Sequence, residues 1–397
     1  MAIKLENKIL DIVSTSDDLS VNSVIKRLTD TFSNEFLSEK DKMLLELTFS
    51  KNPTQKDLDE FLKKWDIEAT GSNKSLMLAY FMKLHPQLKF TNYELLRLNG
   101  LLKFFRFANL EIISHFTKVG KALNKENIPI LIIKGGVMRY LRPEFPRTMS
   151  DIDIIVPAKD YERTKKIITD LGYDYQDCGH SIDLHPKDSE VGTVDIHKFI
   201  EMNTGFEETI IEDMFNRAKK KKVFSVDAYV PAFEDLLFLS LVNIAKNLRE
   251  KSSTHSVMLA FYDCNYFLKT KPDFNWEIFI EDVTKTKTEA QIGFMVKFMN
   301  SIVGDILPKD ISEDIMLEKS IQDYCKETTF ERYIFPPIQE HNRAMKIQDA
   351  IKSPKKLIGY IKDKPRYLLL KKIRKHPKFI RFVYDLWIKH LNKNIKR

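Results

Sequence analysis

The chain has 397 residues, 43% of them apolar and 30% charged, with a formal net charge of +8. That composition is that of a globular protein, and no apolar run approaches the roughly 18 residues of a membrane span. Three widely separated cysteines, Cys178, Cys264 and Cys325, exclude a disulfide framework and point to a reducing cytoplasm.

A chain this long is expected to hold about two or three cores. The positive charge is local. Residues 352–397 carry 16 Lys and Arg against two acids, leaving 48 basic and 54 acidic residues elsewhere. The body is therefore mildly acidic, and a basic tail alone makes the chain cationic. The N-terminal stretch MAIKLENKILDIVSTSDDLS has no apolar segment followed by a small-residue cleavage site, so no secretory signal is expected.

In chain order, the first hundred residues read as helices. SVNSVIKRLTDTF and TQKDLDEFLKKW space their apolar residues by three and four, the helical period. NYELLRLNGLLKFFRFANLEIISHFTKVGKALNKENI extends that pattern across one internal glycine, Gly100. IPILIIKGG then predicts a short strand running into a glycine turn, and SDIDIIVPA a second strand closed by Pro157. KDYERTKKIITDLGY predicts an amphipathic helix ending at Gly172. HSIDLHPKDSEVGTVDIHKFI reads as two strands joined by a polar loop, and VDAYVPAFED as one more strand and a turn. Helical patterns return with EDLLFLSLVNIAKNLR, HSVMLAFYDCNYFLKT and EAQIGFMVKFMNSIV. PKFIRFVYDLWIKHLNKNIKR closes the chain with mixed basic and apolar positions. The expected fold class is α+β: a small mixed-sheet core at residues 101–230, helical regions at 1–100 and 231–350, and a basic amphipathic tail at 351–397.

The chemistry is carried by carboxylates. Alternate side chains of a strand share a face, so Asp151 and Asp153 are expected side by side, about 6–7 Å apart. Asp195 sits between Val194 and Ile196, where an apolar residue would cost less to bury. Three acids from two adjoining strands suit two Mg²⁺ ions, with Mn²⁺ as the alternative. Repulsion between Asp151 and Asp153 implies that replacing both by Asn leaves the fold as stable or slightly more so. Gly135 and Gly136 would bring backbone N–H groups at a helix start close to a phosphate. Lys134, Arg147 and Ser150 flank that turn as candidate phosphate contacts. His197 alternates onto the face of Asp195, where it would orient a ligand or the acceptor.

Gly135-Gly136, Asp151-Ile152-Asp153-Ile154 and Val194-Asp195-Ile196 resemble, in order and spacing, the nucleotidyltransferase superfamily with the polymerase-β-like fold. Lys134 before the turn, Arg147 ahead of the acidic strand, Asp195-Ile196-His197 and Tyr262-Asp263 are similar to the uncharacterised bacterial nucleotidyltransferases of the NTP_transf_5 type. The likeness spans roughly residues 95–310. It departs in one respect, since Gly136 fills a place often held by Ser. The resemblance implies metal-dependent transfer of a nucleoside monophosphate from an NTP, expected to be ATP, to an acceptor hydroxyl with release of pyrophosphate. The acceptor would be a small molecule, peptide or protein. An RNA- or tRNA-directed enzyme using the basic tail, and a non-catalytic nucleotide-binding or scaffold protein, stand as alternatives. The tail could equally lie on a membrane surface or pack on the body.

Overall fold

The computed structural model describes residues 37–304, apart from 51, 68–71, 144–146, 187–193, 201, 203–207, 250–253 and 272. The expected helix near residues 20–32 and the basic tail lie outside the described residues.

Four helices come first: α1 (Glu39–Phe49), α2 (Gln55–Lys64), α3 (Ser72–Leu84) and α4 (Asn92–Lys125). Three of them start on the same device. Ser38, Thr54 and Thr91 each accept from a backbone N–H three residues on, and Asp41, Asp57 and Glu94 return a bond to the cap. This reciprocal box satisfies donors that a helix start leaves unpaired. Helix α4 runs unbroken through Gly100. Its second half buries Ile112, Phe116, Val119 and Leu123. At Gly120 a Cβ would stand 2.6 Å from Val226 Cγ1, so only glycine lets the helix lie this close to the sheet.

The sheet has seven strands among the described residues: β1 (Leu131–Ile132), β2 (Ile152–Ile155), β3 (Asp174–Asp177), β4 (Ser181–His185), β5 (Val194–His197), β6 (Lys219–Val223) and β7 (Val226–Val230). Their order is β3-β4-β5-β2-β1-β7-β6. β2 pairs parallel to β5 and β1 parallel to β7, while the other neighbours are antiparallel. Between the strands lie α5 (Lys134–Leu141), α6 (Tyr161–Asp170) and α7 (Ile211–Arg217). The apolar residues of the central strands are buried, Ile152, Ile154, Ile155, Val194 and Ile196 among them. The two edges are polar instead: β3 reads DYQD and β6 reads KKKKV, both largely exposed. Charged edges deter pairing with another chain.

Helices α8 (Phe233–Arg249), α9 (Thr254–Thr270), α10 (Trp276–Lys285) and α11 (Glu289–Val303) follow. A buried charge cluster ties them to the sheet region. Arg217, at the end of α7, donates to Asp235 on α8 at 2.5 Å and to Asp282 on α10 at 2.8 Å. Both aspartates are fully buried. Burial, and then Asp235 beside it, pushes the Asp282 carboxyl up to about 8. The whole is an α+β fold: one mixed sheet flanked by helices from both ends of the sequence. Strands β3 and β6 and helices α7 and α10 are additions to the elements read from sequence.

Candidate active site

Five segments converge: the start of α5, the loop entering β2, and the adjoining strands β2, β5 and β4. In the parallel ladder Asp153 lies directly opposite Asp195, and in the antiparallel ladder Asp183 lies opposite Asp195. Three adjoining strands thus carry an aspartate on one rung. Asp151 stands one residue before β2, half-buried and close enough for Asp153 and Asp195 to act on its charge. Exposed Ser150 hydrogen-bonds to it.

Two basic side chains hold this cluster together. His197 Nε2 lies 2.9 Å from Asp153 Oδ1 and 2.9 Å from Asp195 Oδ2. Lys134 Nζ donates to the same Asp153 oxygen at 2.5 Å. Burial alone would raise Asp153, but Lys134 and then His197 outweigh it and hold the carboxyl well below the usual range. Asp195 likewise falls, with burial opposed by His197. Burial would lower Lys134, yet Asp153 and Asp195 raise it to about 12. His197 is raised as well, its burial outweighed first by Asp195. Asp151 goes the other way: burial, then the Asp153 charge, push it up to about 7. Burial, then Asp195, raise Asp183 to about 6. The repulsion expected between Asp151 and Asp153 therefore falls on Asp151, because Lys134 and His197 stabilise the ionised form of Asp153.

Lys134 reaches Asp153 from a strained backbone. It opens α5 with φ +49°, a left-handed conformation that costs a side-chain-bearing residue about 1–2 kcal/mol. The glycines behind it serve close packing. A Cβ on Gly135 would stand 2.6 Å from Arg147 Nη1, and one on Gly136 2.9 Å from Ile152 Cγ2. Both residues belong to the buried first turn of α5, whose N–H groups have no partner within the helix.

Arg147 is engaged by protein. It donates through Nε to Asp263 Oδ1 at 3.1 Å and through Nη2 to Asp263 Oδ2 at 2.8 Å, and through Nη1 to the Thr148 carbonyl at 3.2 Å. Its own carbonyl accepts from Asn109 on α4 at 2.6 Å. Burial raises Asp263 despite the guanidinium beside it. A cavity of about 10 Å³, room for roughly one water, lies between Lys134, Arg147, Asp263, Ser240 and Asn243.

Ligand atoms of Asp153, Asp195 and His197 lie within 4.8 Å of one another. Asp195 Oδ1 is buried without a hydrogen-bond partner among the described residues. Buried oxygens of this kind call for a partner. The donor set fits a divalent cation. Carboxylates suit Mg²⁺ and Mn²⁺, and the imidazole nitrogen draws the set toward transition ions. His197, expected to orient a ligand or the acceptor, lies against two of these carboxylates.

Two residues of the cluster were not singled out as site residues from the sequence. Asp183 carried the same signal as Asp195, an acid between apolar residues in Ile182-Asp183-Leu184. Asp263 stood in the apolar helix stretch MLAFYDCNYF, where a buried charge needs a counter-charge. Cys178 and Cys264 are both buried and free, with their thiols raised by burial.

A mixed sheet bearing aspartates on adjoining strands beside a glycine-containing helix start defines a nucleotidyltransferase core. The model of a family described as uncharacterised nucleotidyltransferase matches residues 77–304, more than half of the chain, and the chain belongs to that family. No curated protein matches. Among solved structures, the antibiotic-resistance factor ANT(2'')-Ia, described as showing substrate-regulated conformation dynamics, aligns at 13% identity. That match covers 48% of this chain and 89% of the other with a TM-score of 0.26.

Proposed function

We propose that this nucleotidyltransferase moves a nucleoside monophosphate from an NTP, in the first instance ATP, to a hydroxyl of a small molecule, peptide or protein. The acceptor oxygen forms a bond to the α-phosphorus. The bond from that phosphorus to the oxygen bridging to the β-phosphate breaks, and pyrophosphate leaves with its electron pair. The observation that carries this reading is the rung of aspartates with His197 bonded to two of them.

Asp153, Asp195 and His197 would hold a divalent cation, Mg²⁺ or Mn²⁺, with Asp151 beside them on the solvent side. When bound, such a cation neutralises triphosphate charge and acidifies an adjacent hydroxyl. The first-turn N–H groups at Gly135 and Gly136 would receive phosphate oxygens. Lys134 supplies a cation at the same end of α5, and Ser150 a hydroxyl at the exposed rim. Arg147 shapes the site through Asp263 rather than by a free guanidinium. The acceptor hydroxyl would pass its proton to an Asp195 oxygen, a carboxylate within the cluster. Residues 101–230 form the catalytic core in this reading, and the flanking helices the acceptor side. Two buried free cysteines fit a reducing cytoplasm. Among the described residues no helix is long and apolar enough to cross a membrane.

The test is incubation with each α-labelled NTP, Mg²⁺ and cell extract, followed by identification of the labelled molecule. Asp151→Asn/Asp153→Asn is expected to lose labelling. Equal labelling by parent and double variant sinks the assignment.

A further inference from the structure

The N-terminal part of α4, as far as Leu110, carries an apolar seam of exposed side chains. Tyr93, Leu96, Gly100, Lys103, Phe107 and Leu110 recur in steps of three and four, the spacing of one helix packed along another. Phe104 flanks the seam. Tyr93, Leu96, Phe104, Phe107 and Leu110 are between 53% and 76% exposed. They make up five of the seven exposed large hydrophobic side chains among the described residues. A contiguous apolar surface of this kind marks an interaction site.

Gly100 supplies a second, independent observation. It is an interior residue of a 34-residue helix, where glycine is disfavoured relative to alanine. Nothing in its own surroundings demands it: beyond its chain neighbours and the helix's own backbone, no atom lies within 4 Å of where its Cβ would stand. Its neighbour Gly120, by contrast, is squeezed against Val226. A glycine facing open space in the middle of an apolar seam suits the close approach of another helix from outside.

The pattern is symmetric about that glycine. Leu96 and Phe104 stand four residues to either side, and Tyr93 and Phe107 seven residues to either side. A two-fold contact, in which the same patch meets itself, pairs residues equidistant from its crossing point, and here both such pairs are apolar. We propose that α4 is the contact through which two copies of this chain pair, antiparallel and crossing at Gly100. Tyr93 of one copy then meets Phe107 of the other, and Leu96 meets Phe104. Lys103 lays its stem along the seam with its ammonium in water. Side chains of this size present about 150–200 Å² each, so the exposed fractions give roughly 500–600 Å² per copy. Full burial of these side chains in the pair would cover about 1,000–1,200 Å², the lower bound for a specific interface. A reversible, concentration-dependent dimer follows.

Sedimentation equilibrium of the full chain from about 1 to 100 µM tests this. The expected result is a monomer–dimer equilibrium weakened at least tenfold by Phe107→Asp, with far-ultraviolet circular dichroism and the melting midpoint of the monomer unchanged. Gly100→Ala separates the contact from the fold and keeps the test if Phe107→Asp fails to fold. It raises the melting midpoint, by helix propensity, while weakening the dimer. A chain that stays monomeric throughout, as when its own segments or an unrelated partner cover the seam, overturns the proposal. So does a dimer whose dissociation constant neither substitution changes.

Discussion

Asp263→Ala removes one partner of a buried pair. The Arg147 side chain is 16% exposed and that of Asp263 6%, and they share two hydrogen bonds. Charged bonds of this kind contribute about 1.5–3 kcal/mol each, and breaking a buried pair from one side costs about 3–5 kcal/mol. The Thr148 carbonyl remains for Nη1, which places the expected loss near the lower end, about 3 kcal/mol. Folded domains hold only about 5–15 kcal/mol in all. Urea unfolding followed by circular dichroism reads the change as a midpoint lowered by about 1 M, for a slope of about 3 kcal/mol/M. Removing both charges, Arg147→Met/Asp263→Leu, should recover most of the loss, because no uncompensated ion stays behind. The cycle closed by the single variants Arg147→Met and Asp263→Leu should then give a coupling of at least about 2 kcal/mol. A loss below about 1 kcal/mol for Asp263→Ala, or strictly additive effects, refutes the view that this pair anchors the loop entering β2.

Gly136→Ala should lower stability by about 1–3 kcal/mol, the cost of overpacking a core, since its methyl would meet Ile152 and Ile132; a thermal midpoint equal to the parent's speaks against the close packing. In chelator at pH 8, Asp151→Asn should stabilise the chain, because burial and Asp153 raise the Asp151 carboxyl to about 7 and its ionised form is disfavoured. Asp153→Asn should destabilise it, because Lys134 and His197 lose their counter-charge; equal effects of the two substitutions contradict the asymmetry. Asp282 has its folded-state carboxyl raised to about 8 from an ordinary 3.8. Its contribution is therefore fully present below about pH 4 and lost as pH rises toward 8. Melting curves from pH 5 to pH 9 should show Asp282→Asn gaining on the parent as pH rises, and a constant difference would disprove it.

Sequence patterning revealed what burial imposes. β2, β5 and β7 were legible because buried strands must be apolar, and α2 and α4 because one face is buried and a capping box marks each start. The strands β3 and β6 were not, because DYQD and KKKKV lie at the sheet's edges, where charge is wanted and no apolar alternation survives. The β6–β7 turn hid as well: Phe224 and Ser225 both take positive φ, at 47° and 70°, without the Asn or Gly that usually announces such a turn. At the site, Asp153 and Asp195 stood out as acids within apolar runs. The partners of Lys134, Arg147 and His197 did not, because pairing across the fold is invisible in spacing along the chain. The same limit explains the Asp151→Asn/Asp153→Asn pair. Repulsion was readable from sequence, whereas the counter-charges on Asp153 came from α5 and β5.

The central claim is that Asp153, Asp195 and His197 hold a divalent cation together with a nucleotide. Electron paramagnetic resonance of Mn²⁺, titrated into the chain with a non-hydrolysable ATP analogue, measures that binding without any acceptor. The parent should bind Mn²⁺ in an analogue-dependent manner, and Asp195→Asn at least tenfold more weakly. Equal binding by the parent and Asp195→Asn would contradict the assignment.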